Sequence, residues 1–202
     1  TLISNLWNTI LPNKVSIVKS NEIKPSTIAY SIPSDSVYRR MMEVSDNFLA
    51  EQILVMASST LSDTLSSSNV RKYMLENELK TLKQQPRWVD GSGLSRYNLF
   101  TPASFVDVLT RMYKRIPEQR LFNMMSVGGK FGTIKSWYAG KDKPYVFAKT
   151  GTLGNNHNLS GYLLTNSGKV LVFSYMNNHY KKSNNDIKMQ MQQTFEWLRD
   201  HY

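Results

Sequence analysis

The chain has 202 residues, of which 41% are hydrophobic and 20% charged, a composition typical of a folded protein with one good-sized core. It has no cysteine, which excludes disulfides, thiolate nucleophiles and cysteine-bound metals. The net charge of +10 is spread without a basic stripe or nucleic-acid motif, so we predict a solvated basic surface and no nucleic-acid partner. The histidines His157, His179 and His201 have no ligand spacing; we interpret each as a surface or loop residue and predict neither metal nor cofactor.

The first 25 residues carry mixed signals. Apolar residues at helical spacing predict a helix that Pro12-Asn13 ends, and residues 14–19 alternate like a strand. The only Ser-x-x-Lys of the chain, Ser16-Ile-Val-Lys19, lies here. Because residues three apart point to opposite faces of a strand, we do not expect Ser16 and Lys19 to meet.

Two helices are predicted next, one from Val37 to Val44 and one from Phe48 to about Ser58. The tripeptide Ser45-Asp46-Asn47 therefore lies on the short joint between them. Such a tripeptide is either a helix N-cap or part of a site.

The middle of the chain has a helix predicted from Val70 to Leu82. Residues 88–95 follow, where two glycines around Ser92 predict a tight, buried loop. Asp90 in this loop is either a turn cap or a site residue. Thr101-Pro102 opens another helix. The glycine-rich residues 124–133 follow, without the Gly-Lys-Ser/Thr ending of a phosphate-binding loop.

The end of the chain predicts three strands, Tyr145 to Lys149, Leu159 to Thr165 and Val170 to Met176, with a hairpin turn at Asn166-Ser-Gly168. A helix from about Asn185 to His201 follows. The predicted fold class is therefore α+β, an antiparallel sheet with helices packed on it.

Lys149, Thr150, Gly151 and Thr152 are predicted at the end of the first of these strands. Gly151 lets a ligand backbone lie close to the strand, Lys149 adds a cation, and the threonines add hydroxyl donors. This combination suits an extended peptide that ends in a carboxylate. For the tripeptide alone, a turn with a solvated lysine is the alternative.

Four ordered stretches together carry a resemblance to a known family: Ser45-Asp-Asn-Phe-Leu-Ala-Glu51, Asp90-Gly-Ser-Gly-Leu-Ser-Arg96, Gly128-Gly-Lys-Phe-Gly-Thr133, and Ala148-Lys-Thr-Gly-Thr-Leu153 with Leu159-Ser-Gly-Tyr162. The chain resembles class C penicillin-binding proteins of low molecular mass, the D-alanyl-D-alanine carboxypeptidase/endopeptidases. The resemblance implies a β-lactamase/transpeptidase-like fold with a helical subdomain. It also implies acyl transfer from peptidoglycan stem peptides ending in D-Ala-D-Ala, binding of β-lactams, and a periplasmic or extracytoplasmic location.

The resemblance also implies a role for each matching residue. Ser45 would relay a proton towards the leaving amine, and Asn47 would hydrogen-bond the bound peptide. Lys149 would tune the charge of the site and, with Thr150 and Thr152, hold the terminal carboxylate. The backbone N–H of Thr152 would be one oxyanion-hole donor. Asp90 and Ser92 would form a possible site loop.

The chain departs from the family pattern because the nucleophile motif Ser-x-x-Lys is expected far upstream, and Ser16 lacks its context. We therefore expect residues 1–25 to be the end of an inserted domain or a connector, and residues 26–202 to be the C-terminal portion of the penicillin-binding domain. Such a piece would not turn over substrate alone. It would lack two strands of the sheet, and its open edge would accept the missing N-terminal part of the same protein or another copy of the chain.

Three other interpretations remain open. The chain could be a non-catalytic module that binds peptidoglycan peptides, or a small self-sufficient serine hydrolase that uses Ser16 and Lys19. A basic surface-binding protein without a site is the third, and it leaves the four ordered stretches unexplained.

Overall fold

The computed structural model describes residues 2–17 and 30–202. The chain divides into two compact units, Thr1–Ser31 and Ile32–Tyr202. In the first unit, helix α1 (Leu2–Ile10) ends before Pro12 as predicted, whereas residues 14–17 take no regular secondary structure. Ser16 is exposed there, and Lys19 lies outside the described residues. The predicted domain boundary after residue 25 stays a prediction.

Three helices begin the second unit: α2 (Ser34–Val44), α3 (Asn47–Ala57) and α4 (Ser67–Glu76). The predicted joint between α2 and α3 is confirmed. The predicted end of α4 at Leu82 is wrong, because the helix stops at Glu76. There the Asn77 side chain donates to the Tyr73 carbonyl at 2.8 Å and competes with the helical hydrogen bonds.

Two further helices, α5 (Pro102–Arg115) and α6 (Glu118–Asn123), precede the sheet. The predicted start of α5 is confirmed: Thr101 Oγ1 accepts from the Ser104 N–H at 3.2 Å, and the missing N–H of Pro102 costs nothing at a first helical position. In the part of the chain that the structure describes, no helix combines the length and apolar character that a membrane span requires.

The sheet has four antiparallel strands in the order β1 (Ser126–Val127), β2 (Val146–Leu153), β3 (Asn156–Leu164) and β4 (Val170–Asn178). The three predicted strands are confirmed, and β1, only two residues long, was not predicted. Strand β2 continues four residues beyond its predicted end at Lys149, because residues 149–153 pair with residues 156–160 of β3. The Lys-Thr-Gly-Thr stretch therefore lies within a strand. Among the described residues, β4 pairs only with β3.

Helices cover both faces of this sheet, so the predicted α+β class is confirmed. The last helix, α7 (Asn184–His201), begins with a capping box between Ser183 and Asp186. Its buried residues pack against inward-facing residues of β2 and β3, namely Ile187, Met191 and Phe195 against Val146, Ala148, Leu159 and Leu163. On the opposite face, Tyr162 packs against Leu109 and Phe122 of α5 and α6, and its hydroxyl donates to the Leu109 carbonyl at 2.8 Å.

Candidate active site

The alternation of strand β2 decides where Lys149 points. Val146 and Ala148 belong to the core under α7, whereas Phe147 packs on the opposite face, against Phe122 of α6. With a period of two residues, Lys149 extends from the same face as Phe147. There its Nζ donates to Ser45 Oγ at 2.7 Å and to the Thr150 carbonyl at 2.7 Å. The two stretches singled out in the sequence thus meet, although Ser45 and Lys149 are 104 residues apart.

Ser45 is held at the helix joint by an unusual backbone conformation. It has φ 57° and ψ 52°, a left-handed conformation that ends α2 and that residues other than glycine adopt at a cost. Asp46 then begins α3 by accepting from the Leu49 N–H at 3.0 Å. The tripeptide therefore does both things that its sequence allowed: Asp46 caps a helix, and Ser45 contacts Lys149. Asn47 is the first residue of α3, and its side chain is exposed.

The Lys149 ammonium is partly removed from water. Burial lowers the pKa of Lys149 from 10.5 to about 8, because the charged form loses hydration. The amine is still mostly protonated at neutral pH, but its pKa is close enough to 7 for proton exchange to be easy. A cation of this kind, bonded to a serine hydroxyl, can stabilise an anion and pass a proton through Ser45.

One edge of β2 is covered only in its first part. Strand β1 pairs with Phe147 and Ala148, and the Gly128 N–H donates to the Val146 carbonyl at 2.9 Å. Because backbone groups alternate along a strand, the carbonyl and N–H groups of Thr150 and Thr152 face this same edge. Beyond Ala148, no strand of the described residues covers them. An extended peptide can add to such an edge through backbone hydrogen bonds.

Gly151 keeps the face of this edge open. A Cβ built on Gly151 would have no atom within 4 Å, so the space beside the backbone is free. The side chain of its neighbour Thr150 is held in place, because Thr150 Oγ1 donates to Thr133 Oγ1 at 2.8 Å. In this stretch, bare backbone therefore lies next to a fixed hydroxyl and a cation.

The sequence did not predict a role for Thr133 and Ser126. Buried Ser126 Oγ accepts from the Thr133 N–H at 3.3 Å, and Thr133 in turn contacts Thr150. Gly132 makes this possible, since it has φ +76° and a Cβ there would lie 2.3 Å from Ser126 Oγ. The glycine-rich loop is therefore attached to β2 by a row of three hydroxyls. In the sequence, this loop was marked only by its glycine spacing and by its place among the four ordered stretches.

Asp90 has the contacts of a turn cap, one of the two alternatives left open. Its carboxylate accepts from the Gly93 N–H at 2.7 Å, the Ser95 N–H at 2.8 Å and the Asn98 amide at 2.9 Å. Burial by itself raises the pKa of Asp90, but these hydrogen bonds and the charge of Arg71 hold it below its ordinary value.

Glu51 attaches this loop to helix α3. Its Oε1 accepts from the N–H groups of Gly91 at 2.9 Å and Ser92 at 2.8 Å. A Cβ on Gly91 would lie 3.0 Å from the Ala50 carbonyl oxygen, so the loop and α3 are in close contact. The predicted burial of the loop is nevertheless wrong, because Leu94 at its tip is exposed. Sequence reasoning assigned no role to Glu51, and neither end of this contact has a local pattern that reveals the other.

The prediction that each histidine is a surface or loop residue is wrong for His157. This residue lies on β3 with 1% of its surface exposed, because α7 covers that face of the sheet. Its Nδ1 lies 2.8 Å from Thr152 Oγ1. Within residues 2–17 and 30–202, no cluster of histidine and acidic side chains could hold a metal ion.

The amino-acid sequence is similar to those of a known protein family. The sequence profile of the D-Ala-D-Ala carboxypeptidase 3 (S13) family matches residues 11–200. A D-alanyl-D-alanine carboxypeptidase DacB of Haemophilus influenzae is 28% identical over 181 residues, which is 85% of this chain but 37% of that protein. The chain therefore spans well under half the length of this curated relative.

Solved structures agree on the fold. Penicillin binding protein 4 (dacB) of Haemophilus influenzae, solved with a β-lactam, superposes with a TM-score of 0.71 at 22% identity, over 82% of this chain and 41% of that one. The TLA-1 extended-spectrum β-lactamase superposes with a TM-score of 0.57 at 14% identity, over 82% and 64% of the two chains. The fold is therefore β-lactamase-like, as the sequence resemblance implied.

Proposed function

Because the chain belongs to the D-Ala-D-Ala carboxypeptidase 3 (S13) family, we propose that it supplies the Ser-x-Asn and Lys-Thr-Gly part of the active site of a serine-type D-Ala-D-Ala carboxypeptidase/endopeptidase. The observation that carries this proposal is the contact of Lys149 Nζ with Ser45 Oγ at 2.7 Å beside the open edge of β2. The substrates would be peptidoglycan stem peptides ending in D-Ala-D-Ala, and β-lactams would bind to the same site.

The proposed reaction proceeds through an acyl-enzyme. The serine hydroxyl of the Ser-x-x-Lys motif attacks the carbonyl carbon of the penultimate D-Ala, and its proton passes to the lysine of that motif. The oxyanion that forms accepts from the Thr152 N–H. The C–N bond then breaks, and Ser45 passes a proton to the departing amine of the terminal D-Ala. Water hydrolyses the ester, which returns the serine and releases the shortened peptide.

The remaining residues would hold the substrate. Lys149, Thr150 and Thr152 surround the place of the terminal carboxylate, and charge-assisted hydrogen bonds from such groups are among the stronger ones in proteins. Exposed Asn47 would donate to the peptide backbone. The open face at Gly151 would let the peptide approach the strand. Ser92 lies in the loop that Glu51 attaches to α3, and the loop would border the bound peptide.

We propose that the nucleophile Ser-x-x-Lys comes from a part of the same protein outside these 202 residues. The partner at the open edge of the sheet would be that part or another copy of the chain. The edge of β4, which no described strand covers, is where the additional strands of the sheet would pair. In this proposal residues 1–25 belong to an inserted domain or connector and residues 26–202 to the penicillin-binding domain. The location would be periplasmic or extracytoplasmic.

A second candidate function is capture of stem peptides without cleavage. The same open edge of β2 favours it, because a strand edge with a nearby cation can bind a peptide carboxylate without any nucleophile. The two functions differ only in whether an acyl-enzyme forms.

Covalent labelling with a fluorescent penicillin tests the proposal, read on a gel and by intact mass. The 202-residue chain and its Ser16→Ala variant should both stay unlabelled, whereas the complete product of the gene should carry one penicillin per molecule. A stable adduct on the short chain that disappears in Ser16→Ala would instead indicate a self-sufficient hydrolase that uses Ser16 and Lys19. No adduct on the complete product, together with binding of a D-Ala-D-Ala peptide, would favour the capture function.

A further inference from the structure

Thr152 and His157 form a side-chain pair across strands β2 and β3. The two residues stand directly opposite each other in the register, and their Oγ1 and Nδ1 atoms are 2.8 Å apart. The pair connects two different environments, since Thr152 is exposed beside the open edge and His157 is 1% exposed. Thr152 therefore gives His157 a side-chain route to a ligand at that edge.

The surroundings of His157 hold it in place. Asn177 stands opposite it on β4, and the Asn177 amide donates to the His157 carbonyl at 3.4 Å and to Met191 Sδ of α7 at 3.4 Å. Burial and the nearby charge of Lys188 lower the pKa of His157 to about 4, so the ring is neutral at neutral pH. A neutral imidazole has a single N–H, and either ring nitrogen can carry it.

The two possible tautomers differ in what they do to Thr152. Among the described residues, no group pairs with the buried His157 Nε2. A hydrogen on Nε2 would leave a buried donor unpaired, and Nδ1 would then consume the hydroxyl hydrogen of Thr152. A hydrogen on Nδ1 leaves only a lone pair without a partner, and buried unpaired N–H groups are rarer in proteins than unpaired acceptors. In that case Thr152 Oγ1 accepts, and its own hydrogen remains free.

We propose that His157 is a positioning residue that donates from Nδ1 to Thr152 Oγ1 and so leaves the Thr152 hydroxyl hydrogen for the carboxylate of a bound peptide. The donated hydrogen bond restricts the rotation of the Thr152 side chain. It also polarises the hydroxyl, because hydrogen bonds in a chain strengthen one another. This inference rests on the proposed function, since it assumes that the ligand carboxylate lies at Thr152.

The tautomer can be measured directly. In the 202-residue chain labelled with 15N-histidine, NMR should show a protonated Nδ1 and a bare Nε2 for His157, and a His157→Phe variant assigns the signals. A protonated Nε2 would overturn the proposal. This readout does not depend on any ligand.

A double-mutant cycle tests the effect on binding. The probe is N-acetyl-Lys-D-Ala-D-Ala, compared with the same peptide ending in a carboxamide, each titrated into the wild-type chain, His157→Phe, Thr152→Val and the double variant. His157→Phe should weaken binding of the carboxylate peptide about tenfold, the equivalent of one hydrogen bond to a charged group. It should have no further effect in the Thr152→Val background and little effect on the carboxamide.

Two more variants separate positioning from a general loss of structure. His157→Asn keeps an amide donor near the Nδ1 position and should retain most of the affinity. His201→Phe makes the same replacement at an exposed histidine and should bind like the wild type. Equal losses of affinity for both peptides, or full additivity in the cycle, would mean that His157 only stabilises the fold. Either result would overturn the proposal.

Peptide binding by the wild-type chain distinguishes a failure of the proposed function from a failure of the inference about His157. If the wild-type chain and the complete gene product bind neither peptide, the proposed function fails and this inference fails with it. If the wild type binds the carboxylate peptide and His157→Phe binds it equally well, only the inference about His157 fails.

Discussion

The two halves of strand β2 are both extended, but they differ in pairing and in burial. Residues 146–148 lie between β1 and β3, and Val146 and Ala148 are completely buried. Residues 149–153 pair with β3 alone, and Gly151 and Thr152 are exposed. The first half contributes to the core, and the second presents polar groups at an edge that the core keeps rigid. The site thus depends on β1 beginning only at Ser126, which pairs with Ala148 and leaves the following residues of β2 uncovered on that side.

Two glycines show the same difference between the closed and the open half of β2. Gly161 stands opposite Ala148 in the closed half, where a Cβ would lie 2.2 Å from the Phe147 carbonyl oxygen and 2.6 Å from the Ala148 Cα. Gly151 is in the open half, where a Cβ would contact nothing within 4 Å. Gly161 is therefore required for packing between strands, whereas Gly151 leaves room for a ligand.

The largest expected effect is on chemistry in the open half. Lys149→Met removes the cation bonded to Ser45, so the complete gene product should react with fluorescent penicillin at least about 1,000-fold more slowly, a loss of about 4 kcal/mol of transition-state stabilisation. Stopped-flow or timed gel labelling measures the rate. Lys169→Met, at an exposed lysine of the β3–β4 turn, is the control and should react normally. Equal rates for both variants would contradict a catalytic role for Lys149.

The next prediction compares the two halves of β2 by the free energy of unfolding. Gly161→Ala should lower the free energy of unfolding by about 3 kcal/mol, because its methyl group would overlap the backbone of β2. Gly151→Ala should change it by less than about 0.5 kcal/mol. Denaturant unfolding measures both. Gly151→Ala should nonetheless weaken binding of a D-Ala-D-Ala peptide, because the methyl group occupies the face from which Lys149 extends. Normal peptide binding by folded Gly151→Ala would place the ligand elsewhere.

The pH dependence of stability tests the burial of Lys149. Because burial lowers its folded pKa from 10.5 to about 8, the folded state loses this proton at lower pH than the unfolded state does. Below pH 8 the charge is buried at a cost, and between pH 8 and 10.5 that cost is relieved as pH rises. Wild type should therefore gain about 2 kcal/mol relative to Lys149→Met between pH 7 and pH 9.5. Thermal unfolding of both proteins at the two pH values measures this difference, and a constant difference would contradict the lowered pKa.

The smallest effect concerns the loop that contains Asp90 and Ser92. Glu51→Gln weakens the acceptor of the Gly91 and Ser92 N–H groups and should cost about 1 kcal/mol. Hydrogen exchange at these two amides should become faster, while exchange in residues 146–148 stays unchanged. Glu76→Gln, on the exposed side of α4, removes the same charge and should alter neither. Uniformly faster exchange in Glu51→Gln would mean that Glu51 stabilises the whole unit and not the loop alone.

Features with a local physical cause were predictable from the sequence. The joint of α2 and α3, the Thr101-Pro102 start of α5 and the final helix depend on caps and on apolar spacing within a few residues. The β3–β4 turn depends on Gly168, which has φ +86°. Strand β1 was missed because two residues are too few for an alternation pattern to be recognised.

The sequence by itself determined that a Ser-Asp-Asn stretch on a helix joint and a Lys-Thr-Gly stretch on a strand are both present. It also determined, through their order and spacing, the family to which the chain belongs. Only the tertiary structure decided that Lys149 Nζ lies 2.7 Å from Ser45 Oγ and that buried His157 lies against Thr152. The reason is physical: these contacts follow from strand register and from how helices pack on the two faces of the sheet, and neither is set by neighbouring residues in the chain.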